Sequence, residues 1–486
     1  MKRSNHGRFS RQRQISRTCI GLLMAAAFSI GCGDWAQFGN GPLNPHRKNA
    51  PGPQAGIASI LNLLLPTGGS FEKEVGVLVD TAGDYYVSSY SPWLHLFYHS
   101  GLYGCSVNLG VDGSRAVPYL ASFEQMLYTG AEGGGFHAIE IDKTTAPCSL
   151  NVVDADMAIG KSESSPKRAR DESLYMAEYK GIVHRWEFVG GALNHLGSLA
   201  LGAGEHVTGG IALYDVSPQY EGEEVLVATV TGNFYVIDHE LTHIIWSEHS
   251  GAPTEDQYYA GVTVAERGAG HTPLALLPIA ARNGAWSPNS GVLRAIDLGL
   301  ANVAWELTPS NTAAGEHEIV GSVAVLFPQS DYIPQDDGGP PGDQPSTTHP
   351  GNFGIPGVPN PPNGPPSTPP GNLSPWHATF ASTDTYLYGV DLISGLEVWN
   401  YQMRESGYDA PVVDSSNLIY VGDGTSLLHA VNGNIACLGC GVWIDGSLTT
   451  ASKDDIVKLG LTREWHKGGR RGLVVGTRKE AFALWD

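Results

Sequence analysis

Charge is scarce in this chain. Asp, Glu, Lys and Arg make up 16% of its 486 residues, against about a quarter in an ordinary soluble domain. It has no run of twenty apolar residues, which excludes a multi-span helical membrane protein. Glycine follows no three-residue period, which excludes a collagen-like fibre. Cysteine numbers only six, and no two are adjacent. What is abundant is 62 Gly, 31 Pro, 20 Tyr and 11 Trp, with 42% hydrophobic residues. The chain therefore has apolar material for a large core, and turn formers and aromatics in place of charge point to an all-β protein.

Residues 1–31 read as a signal peptide. Lys2, Arg3, Arg8, Arg11, Arg13 and Arg17 precede an apolar stretch from Ile20 to Ile30, the length of a signal core and too short to span a bilayer. Phe28-Ser29-Ile30-Gly31-Cys32 resembles a bacterial lipobox, with Ser29 where that pattern prefers Leu. The resemblance implies lipidation of Cys32. Gly33, rather than Asp, beside it implies sorting to the outer membrane. The membrane is then met through the lipid anchor only. The leader holds six of the 29 basic residues and none of the 49 acidic ones, so the mature net charge is about −26. A chain this acidic repels nucleic-acid phosphates, which argues against nucleic acid as a partner.

Repeats organise the remainder. Asp238 and Trp246, Asp297 and Trp305, and Asp391 and Trp399 are each eight apart, each Asp closing an alternating apolar strand. Weaker copies run from Phe97 to Cys105, Glu140 to Cys148, Glu187 to His195 and Asn432 to Cys440, and an eighth ends on Asp486. Further β-like runs precede several copies, such as Leu418–Gly422, Val225–Ala228 and Leu174–Ala177. A four-stranded unit of about 40–50 residues is a propeller blade. The expected fold is all-β, an eight-bladed β-propeller of four-stranded antiparallel blades, with seven blades as the alternative. Cys105, Cys148, Trp246, Trp305, Trp399 and Cys440 are the expected inter-blade docking residues.

One interval between copies, 94 residues, is too long. It contains 334–375, with 14 Pro and 8 Gly in 42 positions, which cannot form central strands because proline lacks the ladder donor. This is expected to be an extended, disordered loop inserted into a blade whose first strand is 319–325. The last copy stops before its outer strand. The apolar run 57–65, within an N-terminal segment 32–70, is the natural donor, so that both ends of the propeller chain 71–486 meet in one blade and close the ring.

The strand-Asp-x2-(Ser/Thr)-Gly-x3-Trp copies resemble the tryptophan-docking repeats of pyrroloquinoline-quinone (PQQ)-like β-propellers, and Asp34–Asn40 resembles the segment that often opens such domains. That family includes quinoprotein dehydrogenases and non-catalytic outer-membrane assembly lipoproteins of the BamB type. The resemblance implies PQQ and calcium for the first group, with an adjacent Cys pair and a calcium site of Glu, Asn and Asp. The Cys pair is missing here, and no acidic residue matches the calcium or catalytic motif.

Three motifs suggest other chemistry. His239-Glu240-Leu241-Thr242-His243 matches the zinc-protease pattern, but that pattern needs a helix and these residues fall in the turn between Asp238 and Trp246. Cys437-Leu438-Gly439-Cys440 lacks the following His of a haem site, and a local Cys437–Cys440 disulfide is one reading of it. Cys105 and Cys148 are either small substitutes for Trp or a cross-blade disulfide, which requires Cα atoms within about 7 Å. Asp154 and Asp156 are too few for a calcium loop.

The expectation is a non-catalytic, monomeric, lipid-anchored scaffold that binds other envelope proteins, with no cofactor, no metal and no catalytic residue. It would sit at the outer membrane or in the periplasm, with a role in outer-membrane assembly as its specific form. The alternatives are a PQQ-dependent dehydrogenase and a carbohydrate- or ligand-binding surface propeller.

Overall fold

A computed structural model describes residues 51–486 except 67–70, 72–74, 81, 90, 111–116, 122–123, 146, 217–221, 250–259, 269, 280–290, 311–317, 320, 327–374, 408–409, 435–438, 447, 449–455, 465–469 and 478. Residues 33–486 form one compact unit. The leader, Cys32, Cys437 and nearly all of the Pro-rich segment lie outside the described residues.

The architecture is a ring of eight four-stranded antiparallel sheets, an eight-bladed β-propeller. Blade 1 comprises Gly76–Val79, Tyr85–Ser88, Trp93–Phe97 and Tyr103–Asn108. Blade 2 comprises Tyr119–Ala121, Met126–Gly130, Phe136–Asp142 and Ser149–Asp156, and blade 3 Lys167–Arg168, Leu174–Ala177, Ile182–Val189 and Ala192–Ala200. Blade 4 comprises Ala212–Tyr214, Glu224–Ala228, Asn233–Ile237 and Ile244–His249, and blade 5 Thr263–Ala265, Leu274–Ile279, Val292–Asp297 and Asn302–Leu307. Blade 6 comprises Ala324–Val325, His377–Ala381, Tyr386–Asp391 and Glu397–Gln402, and blade 7 Val412–Val413, Leu418–Gly422, Leu428–Asn432 and Cys440–Asp445. Blade 8 takes Ile456–Glu464, Arg470–Thr477 and Ala481–Trp485 from the C-terminal end and Ser59–Asn62 from the N-terminal end.

That last strand closes the ring. Ser59 pairs with Trp485, Ile60 with Leu484, Leu61 with Ala483 and Asn62 with Phe482. The chain just before it is fastened to blade 7. Gly52 N and Gln54 Nε2 each donate to Asp414 Oδ2 at 2.8 Å, and Tyr420 Oη donates to the Pro53 carbonyl at 3.0 Å. A Cβ on Gly52 would sit 2.5 Å from the Tyr420 hydroxyl, so only glycine lets the backbone lie this close.

The core lies between sheets. Blades 2 and 3 share a cluster of Met126, Tyr128, Phe136, Leu174 and Trp186, blades 6 and 7 one of Leu387, Trp399, Ile419 and Val431, and each other neighbouring pair a similar one. The sequence alternation suggests half-buried strands, yet Glu224–Ala228 and Asn233–Ile237 are buried throughout. The reason is that middle strands are covered on both faces by neighbouring blades, and only outer strands such as Asn302–Leu307 stay largely exposed.

Two rims follow from the meander. One, the hairpin rim, carries the first-to-second and third-to-fourth strand turns. The other, the connection rim, carries the second-to-third turns and the blade-to-blade connections. The Pro-rich segment joins Val325 to His377, which pair directly with each other's strands, so it leaves from the hairpin rim of blade 6. The first strand there is shorter than 319–325, being Ala324–Val325.

Candidate functional site: inter-blade locks and the connection rim

The repeated Asp is a turn cap. Asp391 Oδ1 accepts from the backbone N–H of Ile393 and Ser394, Asp297 Oδ1 from Gly299 and Leu300, and Asp238 Oδ1 from Thr242 and His243. A short carboxylate reaches such N–H groups without extending the turn. Donors from Thr272, Leu300 and Arg267 hold the Asp297 carboxyl below the usual range although burial pushes it up.

The repeated Trp packs into the turn of the next blade. The Trp305 ring fills the space a Cβ on Gly395 would need, at 2.4 Å, and its Nε1 donates to the Leu392 carbonyl at 3.3 Å. The Trp399 ring lies against Gly439 of blade 7 and over Gly389 of its own sheet, where a Cβ would meet it at 2.1 Å. Leu61 plays the same part from blade 8 against Gly101 of blade 1. Trp246 is half-buried against the cluster shared by blades 4 and 5.

Blade 7 departs from the expected spacing. Its position equivalent to Trp399, directly after the strand-four bulge, is filled by Trp443, which pairs with Ala430. Cys440 instead opens that strand opposite Asn432. The third-to-fourth turn is longer here, which moves the aromatic eleven residues from Asn432 and hides it from an eight-residue search. Cys440 is disulfide-bonded, to a cysteine outside the described residues.

Cys105 does stand at the docking position of blade 1, opposite Leu96. It is bonded to Cys148, with Cα atoms 5.7 Å apart. Cys148 is not its equivalent in blade 2: it lies in the turn that receives the docking group, just before Ser149. The disulfide is thus a covalent replacement for Trp docking, and Gly104 leaves room for the Cys148 sulfur, which a Cβ would approach to 2.9 Å.

Blades 2 and 3 use a polar lock. The docking position of blade 2 is Asp154, opposite Ala138, and its Oδ2 accepts from Leu193 N at 2.7 Å. Asp156 Oδ2 accepts from Trp186 Nε1 at 3.1 Å, and the Trp186 ring stacks on Phe136 with centroids 4.1 Å apart. In blade 3 the position falls to Gly197, opposite Arg185 rather than to His195. Arg185 reaches across to Glu240 of blade 4.

That Glu240 belongs to the protease-like motif. His239–His243 lies in the turn between Ile237 and Ile244, Leu241 has φ 56°, and Asp238 caps the turn. Among the described residues no three His, Cys, Asp or Glu side chains are grouped to hold a metal ion. Lys143, Lys161, Arg168, Arg185, Arg267 and Arg294 are each paired with a carboxylate of this chain. Near the axis, Gly209 and Gly261 bring the approaches to blades 4 and 5 into backbone contact, a Cβ on Gly209 falling 2.3 Å from the Ala260 carbonyl.

On the connection rim, polar side chains tie described loops of blades 2, 3, 4 and 7 to the blades beneath them. Glu178 Oε1 accepts from Gly160 N at 2.8 Å and from His184 Nε2 at 2.9 Å, and His184 Nδ1 lies 3.2 Å from Nε2 of the exposed His195. Burial lowers the His184 pKa although Glu178 opposes it. Glu205 accepts from Thr231, from Asn233 at 2.6 Å and from Tyr235 at 2.9 Å. Lys161 bridges Glu132 and Glu163 over the Tyr179 ring, which stacks on His206. In blade 7, His429 is held between Asp423 and Tyr401. These pairings need contact between strands and loops far apart in sequence, which spacing alone did not reveal.

No protein-family model matches the sequence, and no curated protein matches it. Solved structures do match in fold. The crystal structure of Saccharomyces cerevisiae Sqt1 aligns with a TM-score of 0.59 at 8% identity, covering 90% of this chain and 99% of that one. BamB from Moraxella catarrhalis aligns with a TM-score of 0.55 at 12% identity, covering 89% and 99%. Quinohemoprotein alcohol dehydrogenase from Comamonas testosteroni aligns with a TM-score of 0.58 at 10% identity, covering 93% and 80%. At such identities the likeness is one of fold.

Proposed function

We propose that this propeller is a non-catalytic scaffold of the bacterial cell envelope, lipid-anchored at Cys32, which binds other envelope proteins through its rims. The observation that carries the reading is where the chemistry-bearing side chains are engaged. The repeated Asp residues, the protease-like turn, the paired cations and the connection-rim carboxylates all hold turns, loops or neighbouring blades. The Cys105–Cys148 bridge supports export, since such bonds persist in oxidising compartments. A part in outer-membrane assembly is the specific form of this proposal, and the likeness in fold to BamB supports it only as architecture.

The test is a crosslinking capture from envelope membranes with the full chain, alongside mass analysis of Cys32. Recovery of defined envelope proteins on a Cys32-lipidated chain is the expected result. Addition of PQQ and calcium should give neither a bound-cofactor absorbance nor dye reduction with alcohols; either signal overturns the scaffold reading.

A further inference from the structure

Four third strands carry histidine one residue before the position opposite the fourth-strand docking residue: His95 in blade 1, His137 in blade 2, His184 in blade 3 and His429 in blade 7. In blades 3 and 7 the ring Nε2 meets a carboxylate placed directly after the second strand, Glu178 at 2.9 Å and Asp423 at 3.1 Å. In blade 2 that place falls to Ala131, which has no side-chain acceptor. His137 is 4% exposed, and neither of its ring nitrogens has a hydrogen-bond partner among the described residues. A buried polar group left so costs about 1–3 kcal/mol and calls for a ligand or another physical cause.

A thioether faces the same spot. At Gly135, in the turn that leads into the His137 strand, a Cβ would lie 3.0 Å from Met157 Sδ and 3.1 Å from His137 Nε2. Sulfur and nitrogen therefore converge on one small space, and Gly135, at φ +100°, keeps it free of a side chain. Met157 directly follows the fourth strand of blade 2 and is 65% exposed, so its thioether covers the buried ring from the solvent side. Two other buried histidines have different surroundings. His95 packs among the rings of Phe71, Phe97 and Tyr103, and His377 lies 3.9 Å from the Asp391 carboxylate.

We propose that His137 Nε2 and Met157 Sδ together bind a soft monovalent cation of the Cu(I) class on the connection rim. A neutral imidazole and a thioether are soft, uncharged donors, the pairing that suits Cu(I). Calcium and zinc ask for more ligands, and for oxygen or thiolate among them. Burial lowers the His137 pKa, which keeps the ring unprotonated at neutral pH and a lone pair available at Nε2. The ion would give this ring the partner that Glu178 and Asp423 give its counterparts. None of the three described cysteines is a free thiol, since Cys105 and Cys148 are bonded to each other and Cys440 is in a disulfide, so none competes for the ion. Grouping of His, Cys, Asp and Glu passes over this pair because one donor is methionine, twenty residues along the chain; the expectation of no metal missed it for the same reason.

The test titrates the full chain, with its disulfides intact, with Cu(I) held by a chromophoric chelator, and with Ag(I) as a redox-inert probe followed by native mass. One ion per chain is expected, and X-ray absorption of the loaded protein should show both nitrogen and sulfur neighbours. Loss of even an outer-shell partner costs a metal site about 10–100-fold in affinity, so Met157→Leu, which removes a ligand, should cost at least as much. That substitution changes neither charge nor a buried contact, so general attraction of cations to an acidic chain would survive it. His137→Phe should abolish binding, and should it fail to fold, Met157→Leu with the parent melting curve decides alone. Absence of stoichiometric binding, undiminished binding in Met157→Leu, or a bound ion without a sulfur neighbour overturns the proposal.

Discussion

The indole of Trp305 in blade 5 sits where a side chain on Gly395 of blade 6 would be, and its Nε1 donates to the Leu392 carbonyl, 87 residues away in sequence. Gly395 has φ +70°, so alanine there meets both a left-handed backbone and an occupied space. Gly395→Ala should cost on the order of 2–4 kcal/mol, the sum of a left-handed penalty and overpacking. Gly190→Ala, at φ +64° with nothing near its Cβ, should cost about 1 kcal/mol. Equal denaturation midpoints for the two variants would show that the ring does not dock there.

Trp399 offers a sharper comparison. Its Nε1 is buried without a hydrogen-bond partner among the described residues, whereas Trp305 Nε1 has one. Trp399→Phe should therefore be milder than Trp399→Ala, which removes a large buried ring and costs about 3–5 kcal/mol. Trp443→Ala should also destabilise, since its ring packs against the core shared with blade 8. Urea midpoints order the three variants.

The Cys105–Cys148 bridge closes a segment of 43 residues. Constraint of the unfolded chain by a loop of that size is worth about 4 kcal/mol in the chain-entropy picture. The double variant Cys105→Ser, Cys148→Ser should lower stability by up to that amount, and intact mass with and without reductant should register the bridge directly. A double variant that melts with the parent would mean that the bridge holds blades already locked by packing.

The blades were legible because their signals are local. An Asp that caps a turn and a Trp that docks eight residues later are read along one hairpin, and Asp238, Asp297 and Asp391 needed nothing else. Ring closure was legible too, since a strand lacking a partner at Asp486 and a spare apolar run at 57–65 define each other. What spacing could not show were contacts made across the fold. Trp443 was displaced by a longer turn, Trp186 docks from the third strand rather than the fourth, and Asp154 performs with a carboxylate what other blades do with a ring. The fastening of Gly52 to Asp414 joins residues 362 apart, and no local pattern announces it.

That fastening makes a distinct prediction. Asp414 Oδ2 accepts from Gly52 N and Gln54 Nε2, and Tyr420 Oη, 3.1 Å away, shares its one proton between this oxygen and the Pro53 carbonyl. Asp414→Asn replaces one acceptor oxygen with a donor, leaving buried donors opposed, and should cost about 1–3 kcal/mol. Deleting residues 51–66 removes this contact and the whole outer strand of blade 8, so it should cost more and expose Ala481–Trp485 as an open edge prone to association. Light scattering on heating separates the two outcomes; a deletion variant with the parent melting curve would refute the closure.

Acid should unsettle the fold before the carboxylates held below their usual range titrate. Burial among Phe71, Phe97 and Tyr103 lowers the His95 pKa to about 4, and burial lowers those of His137 and His377 as well. Each ring is neutral in the folded chain and takes up a proton near pH 6.5 when unfolded. The folded pKa is the depressed one, so the stability due to these rings is complete above about pH 6.5 and is lost as pH falls toward the folded value. For His95 the loss approaches about 3 kcal/mol once pH reaches 4. Carboxylates held below their usual range, such as Glu205, Asp297 and Asp423, lose their contribution only at lower pH, and Asp414, which burial raises, acts with the opposite sign and gains stability as pH falls. His95→Phe should flatten the melting temperature between about pH 6.5 and 4.5 while leaving its slope at more acid pH. An unchanged slope between pH 6.5 and 4.5 would mean that His95 is solvated enough to protonate in place.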